Sequence, residues 1–176
     1  MTDTIICAPM RIEARAIRRG LRGSANPPEV LRTGYGTTRA ADRAGELKPD
    51  SFGQMVVMGV GAGLTSDLSP GDLVVGTEVG LVTCASAPLL AGELQRAGLP
   101  ARTGRITTVD HLVRRSERAS LAADGTLLAD MESAPLAAAA AAAGRPAAAA
   151  ASGADSMSAS SVPSAARLAR SDRRTR

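Results

Sequence analysis

The stretch VVMGVGAGLTSDLSPGDLVVGTEV (residues 56–79) decides how this chain reads. Two valine-rich runs are separated by the small-residue segment GAG and by the turn SPGD. Short apolar runs bounded by turn residues are buried strands. Pro70 presets φ for the turn, and Gly71 accepts its strained position. The prediction is therefore a strand over 54–60, a loop at 61–63 and a second strand over 73–79.

Working outward, TIICA (4–8) and VLRTG (30–34) predict further short strands, with a helix over 11–21 between them that turns Ile12, Ala16 and Ile17 inward. A helix over 37–47 follows, with Thr37 as its cap. On the C-terminal side, 87–99 and 115–123 predict helices, 101–109 and 126–130 extended chain. The alanine run 133–143 predicts a helix stopped by Gly144 and Pro146. Alternation of strands and helices implies an α/β fold, a three-layer α/β/α sandwich around a mostly parallel, mixed central sheet. Ligands of such folds sit at the carboxyl ends of the strands. That rule gathers Glu13, Gly34–Gly36, Gly59–Gly63, Glu78, Met131 and Glu132 on one edge.

Composition narrows the function. Tyr35 and Phe52 are the only aromatics, so the core must be built from small aliphatic side chains. The net charge of +4 is equalled by the last twelve residues alone, five arginines against Asp172. A basic tail without stacking aromatics argues against nucleic acid as a partner. Cys7 and Cys84 are far apart in sequence beside a lone His111, a set that predicts neither a zinc site nor a disulfide framework. The first residues lack the basic-then-apolar order of a signal peptide, and no window reaches the length of a membrane span. The expectation is a cytoplasmic protein.

The 56–79 segment, with GRITTVDHLV (104–113), LLADMESA (127–134) and IICAPMRIEARAI (5–17), resembles the nucleoside phosphorylase superfamily in motif order and rough spacing. Within it the chain looks most like the nucleosidase branch, which includes 5'-methylthioadenosine/S-adenosylhomocysteine nucleosidases and the adenosylhopane nucleosidases of hopanoid synthesis. The resemblance spans roughly residues 4–146. It implies cleavage of the N-glycosidic bond of a purine nucleoside by hydrolysis or phosphorolysis, with a small-molecule substrate and no metal or organic cofactor. Phosphate as co-substrate and a homo-oligomeric state stay open.

By that resemblance Glu132 grips the ribose hydroxyls with Met131 packed against the sugar, Glu13 prepares the attacking water, and Asp155 protonates the purine. Gly61, Ala62 and Gly63 let the base lie against backbone, and Leu112 stands where the family stacks an aromatic. Each has a plainer alternative. Glu132 is placed to complement a helix dipole, Glu13 to pair in solvent with Arg15 or Arg18, the glycines to make a tight turn, and His111 to sit in an exposed loop. Gly34-Tyr35-Gly36 reads either as an anion nest at a helix N-terminus or as a simple turn. Val60 replaces the hydroxyl or phosphate ligand of the family pattern.

After Pro146 the composition changes to alanine, serine and arginine. Alanine prefers helix and glycine weakens strands. The expectation is a domain over 1–146 and a degenerate or truncated, partly disordered tail over 147–176, with Asp155 in it. Two rivals follow: a catalytically inactive nucleoside-binding remnant of the same fold, and an interaction protein that works through its basic tail.

Overall fold

The computed structural model describes residues 4–154. The elements run β1 (Thr4–Ala8), α1 (Arg11–Gly20), β2 (Glu29–Arg32), α2 (Thr37–Glu46), β3 (Gln54–Gly63), β4 (Leu73–Val79), β5 (Val82–Thr83) and α3 (Ala87–Arg96). They continue with β6 (Ala101–Thr108), α4 (Arg118–Leu121), β7 (Thr126–Asp130), α5 (Ser133–Ala142) and β8 (Ala147–Ala154). Five of the eight strand pairings are parallel, which makes the sheet mixed and mostly parallel, as expected. Helices flank it, and the α/β class holds.

One sheet contains all eight strands, in the order β2-β1-β3-β7-β6-β4-β5, with β8 joined to both β3 and β4. The pairings β3–β8–β4–β6–β7–β3 therefore close a ring. Strand β3 makes this possible through its length. Its first half pairs with β1, its last two residues pair with β7, and its other edge pairs with β8 throughout. Closure removes exposed edges. It also demands small side chains where strands crowd: a Cβ at Gly104 would fall 2.5 Å from Leu127 Cδ1.

The expectation for 147–154 was wrong. These residues are a central strand, not a disordered segment, and Ala147–Ala151 are all buried, at 1–5% exposure. Helix propensity loses here to two ladders, one to each neighbouring strand, and to cover from α3 and α5. Small side chains suit a strand covered on both faces, because they let the layers approach. Asp155 and the rest of the predicted tail lie outside the described residues.

Four smaller predictions also fail. The GAG segment continues β3 and is no loop. Ile12 faces out at 45% exposure, while Glu13, Ala14, Ala16 and Ile17 are buried. The cap of α2 is Gly36 at φ 92°, a conformation that favours glycine, so Thr37 is already helical. The second strand stops at Arg32, two residues early. The small-aliphatic core is present as read, with Phe52 buried in it and both cysteines free and buried.

Candidate active site

The carboxyl ends of β1, β2, β3 and β7 meet at one place. Thr33 N–H donates to Ala8 O (3.1 Å) and Gly34 N–H to Pro9 O (3.2 Å), tying the loop after β2 to the loop after β1. Glu13, in the first turn of α1, accepts from Met10 N–H at Oε2 (2.7 Å) and from Val60 N–H at Oε1 (2.9 Å). It is 1% exposed. That excludes the solvated reading, and Arg18 instead donates to Val30 O (2.6 Å). Gly59 makes room for it: a Cβ there would lie 2.9 Å from Glu13 Oε1.

Glu132 ends the chain segment after β7 and is 4% exposed. Its Oε1 accepts from Gly36 N–H (2.7 Å) and its Oε2 from Met131 N–H (3.2 Å). The nest-like Gly34-Tyr35-Gly36 turn thus holds an anion of the protein's own. Capping of α5 falls to a residue the sequence reading passed over. Asp130 Oδ1 accepts from Ser133 N–H (3.2 Å), from Glu132 N–H (3.4 Å) and from the Thr108 hydroxyl (2.7 Å). Thr108 Oγ1 in turn accepts from Ala134 N–H (2.9 Å). Glu132 is the N-cap residue of α5, but its side chain makes no cap hydrogen bond, and Asp130 accepts the Ser133 N–H instead. An aspartate three residues before Ser133 was the available signal.

Burial pushes the Glu13 carboxyl up to about 7, the charges of Glu132 and Asp130 add to the rise, and the two backbone N–H groups oppose it. Burial likewise raises Glu132 to about 6, against the Gly36 N–H. Asp130 is raised by burial as well. Shielding from water thus shifts all three acids toward their protonated forms, Glu13 furthest among the two with values. Burial also pushes the Cys7 thiol up to about 12, which disqualifies it as a nucleophile.

Beside the acids lies a cavity of about 800 Å³. Its walls are the β3 backbone at Val60–Ala62, the segment after β6 that carries Leu112, and Ala129–Glu132 with Met131. Tyr35 of the Gly34-Tyr35-Gly36 turn lines it too, with Arg114, Glu117 and Arg118, which the sequence did not single out. Of the predicted residues, Gly61, Ala62, Leu112, Met131 and Glu132 line this cavity. Gly63 does not line it; it sits opposite Leu68. Glu13 lies behind the wall, bound to Val60 N–H. Leu112 is 60% exposed and offers the cavity an apolar face. His111 is a half-exposed loop residue held by Asp110 (2.9 Å), although it too borders the cavity. Among the described residues no cluster of His, Cys, Asp and Glu is arranged for a metal, and no helix is long and apolar enough to cross a membrane.

The site is thus a set of buried carboxyls beside a cavity at the carboxyl ends of the strands of a mixed α/β fold. Residues 80–172 match the model of the Phosphorylase superfamily, more than half of the chain, and the chain belongs to that family. Solved structures agree in fold. The Helicobacter pylori nucleosidase MTAN, solved with 5'-methylthioadenosine in its active site, superposes with a TM-score of 0.83 at 17% identity, covering 97% of this chain and 96% of that one. Helicobacter pylori futalosine hydrolase gives 0.79 at 16%, covering 98% and 96%. The Campylobacter jejuni 5'-methylthioadenosine/S-adenosylhomocysteine nucleosidase gives 0.81 at 15%, covering 97% and 96%. No curated protein sequence matches the chain.

Proposed function

We propose that the protein is an enzyme that hydrolyses the N-glycosidic bond of a purine nucleoside. The observation that carries this reading is the convergence of Glu132, in the cavity wall, and Glu13, 119 residues away in sequence and just behind that wall, where the Glu132 charge raises it. Breaking the bond builds positive charge on the ribosyl ring and negative charge on the base. Glu132 accepts hydrogen bonds from the ribose hydroxyls, its carboxylate positioned by Gly36 N–H. The base lies against Gly61 and Ala62 with Leu112 across from them. Glu13, poised near 7 at the cavity wall beside Val60, orients and deprotonates the attacking water.

Asp155 protonates the departing base. Strand β8 supports this role by its register: Ala154 pairs with Ala62, and Ala62 lines the cavity. A water-derived nucleophile is favoured because Val60 supplies no hydroxyl for phosphate.

Adenine release from 5'-methylthioadenosine, with and without inorganic phosphate, tests the reading. Glu132→Gln and Asp155→Asn should each slow release about 100-fold or more. Full activity in both variants refutes the roles. A rate that requires phosphate replaces hydrolysis with phosphorolysis, and an inactive wild type favours the binding remnant.

A further inference from the structure

One cleft adjoins the nucleoside cavity across Tyr35 and a second adjoins the first, and the residue roles above use neither. One, of about 320 Å³, is lined by Pro9, Met10, Arg11, Arg32, Gly34, Tyr35 and Arg39. The other, of about 240 Å³, shares Arg32, Gly34 and Arg39 and adds Thr33 and Arg43 with the acids Asp42 and Glu46. Tyr35 borders both the first cleft and the nucleoside cavity, and its hydroxyl is raised by burial and by Glu132. The first cleft therefore abuts that cavity at Tyr35, on the side of Glu132, and the second adjoins the first.

Their chemistry is unbalanced. Among the described residues Arg11, Arg32 and Arg39 have no acidic partner, whereas Arg43 is paired with Glu46. The first cleft contains no acid at all. The Arg39 side chain folds over Gly34, so closely that a Cβ on that glycine would lie 3.0 Å from Arg39 Cβ. The first turns of α1 and α2 reach the first cleft through Arg11 and Arg39. A second observation points to a ligand. Thr33 is 5% exposed, lines the smaller cleft, and its Oγ1 has no hydrogen-bond partner among the described residues; the buried Nε of Arg43 is also without one. Buried polar atoms are normally satisfied, so a cleft that leaves two of them open is shaped for a polar guest.

We propose that Arg11, Arg32, Arg39 and Thr33 form an anion subsite that takes an oxyanion, carried on the 5' end of the nucleoside or bound as free phosphate. Guanidinium groups suit such oxygens through paired, charge-assisted hydrogen bonds. The attached source rests on the nucleoside reading of the main cavity; the subsite itself does not. Calorimetric titration of the full chain with adenosine, adenosine 5'-monophosphate and inorganic phosphate separates these, in wild type and in Arg32→Ala/Arg39→Ala. Both arginines are exposed, so the variant should fold, and a thermal melt checks this.

For a substrate-borne anion the monophosphate binds about tenfold tighter than adenosine, and the advantage disappears in the variant and at high salt. Phosphate binding that depends on the arginines, with no advantage for the monophosphate, supports the subsite with a free anion. The same phosphate result without binding of either nucleoside keeps the subsite and removes the nucleoside reading. Anion affinities equal in wild type and variant overturn the proposal.

Discussion

Glu13 keeps its proton up to about pH 7 because burial penalises the charged form more than two backbone N–H groups favour it. As the base in hydrolysis it must be ionised, so activity is lost as pH falls. The profile of kcat/KM should show an acid limb with an apparent pKa near 7, absent from the residual activity of Glu13→Gln. Rate loss in that variant should reach about 100- to 10,000-fold, the range for a positioned general base. A flat profile between pH 5 and 8 would remove Glu13 from the chemistry. Its place after the first strand, in the 5–17 motif, made it a candidate in the sequence, but burial distinguishes it from the neighbouring arginines. Asp130 shows the opposite case: the sequence displayed it, yet only the hydrogen bonds to Ser133 and Thr108 reveal that it frees Glu132 from capping duty.

At the scale of elements, β3 and β8 carry the site. Gly61 is the tightest point of β3, where a side chain would press on Leu128 and come within 2.7 Å of the Ala129 carbonyl oxygen. Gly61→Ala should destabilise by about 1–3 kcal/mol, read as a lower denaturant midpoint with an unchanged slope. Equal stability would mean that β3 and β7 separate more easily than the closed ring implies. The predicted loop at 61–63 was a misreading of the same glycine: small residues here serve close strand approach, not a turn. Strand β8 was illegible for a related reason. Five consecutive alanines have no strand preference of their own, and their conformation is imposed by the ladders on either side.

Across the whole molecule, buried and exposed acids pull stability in opposite directions with pH. Glu13 and Glu132 have raised folded-state values, so their contribution is complete below about 4.5 and is lost as pH rises through about 6 and 7, and burial shifts Asp130 in the same direction. Exposed Asp67, Asp110, Glu117 and Asp124 are lowered, chiefly by hydrogen bonds, so theirs is lost on acidification. The thermal midpoint should therefore peak at about pH 5 and decline toward pH 8, and Glu13→Gln should flatten the decline. A midpoint that rises steadily from pH 5 to 8 would contradict the burial of these acids.

Local pattern was enough to determine the fold class, most element positions and the acidic residues at the strand ends, because periodicity and turn residues act over a few neighbours. Long-range pairing decided the rest. It placed an alanine-rich segment at the centre of the sheet, closed five strands into a ring, buried Glu13 and turned Gly36 toward Glu132. Those outcomes depend on what lies across the fold from each residue, and that is absent from the residue's own surroundings in the chain.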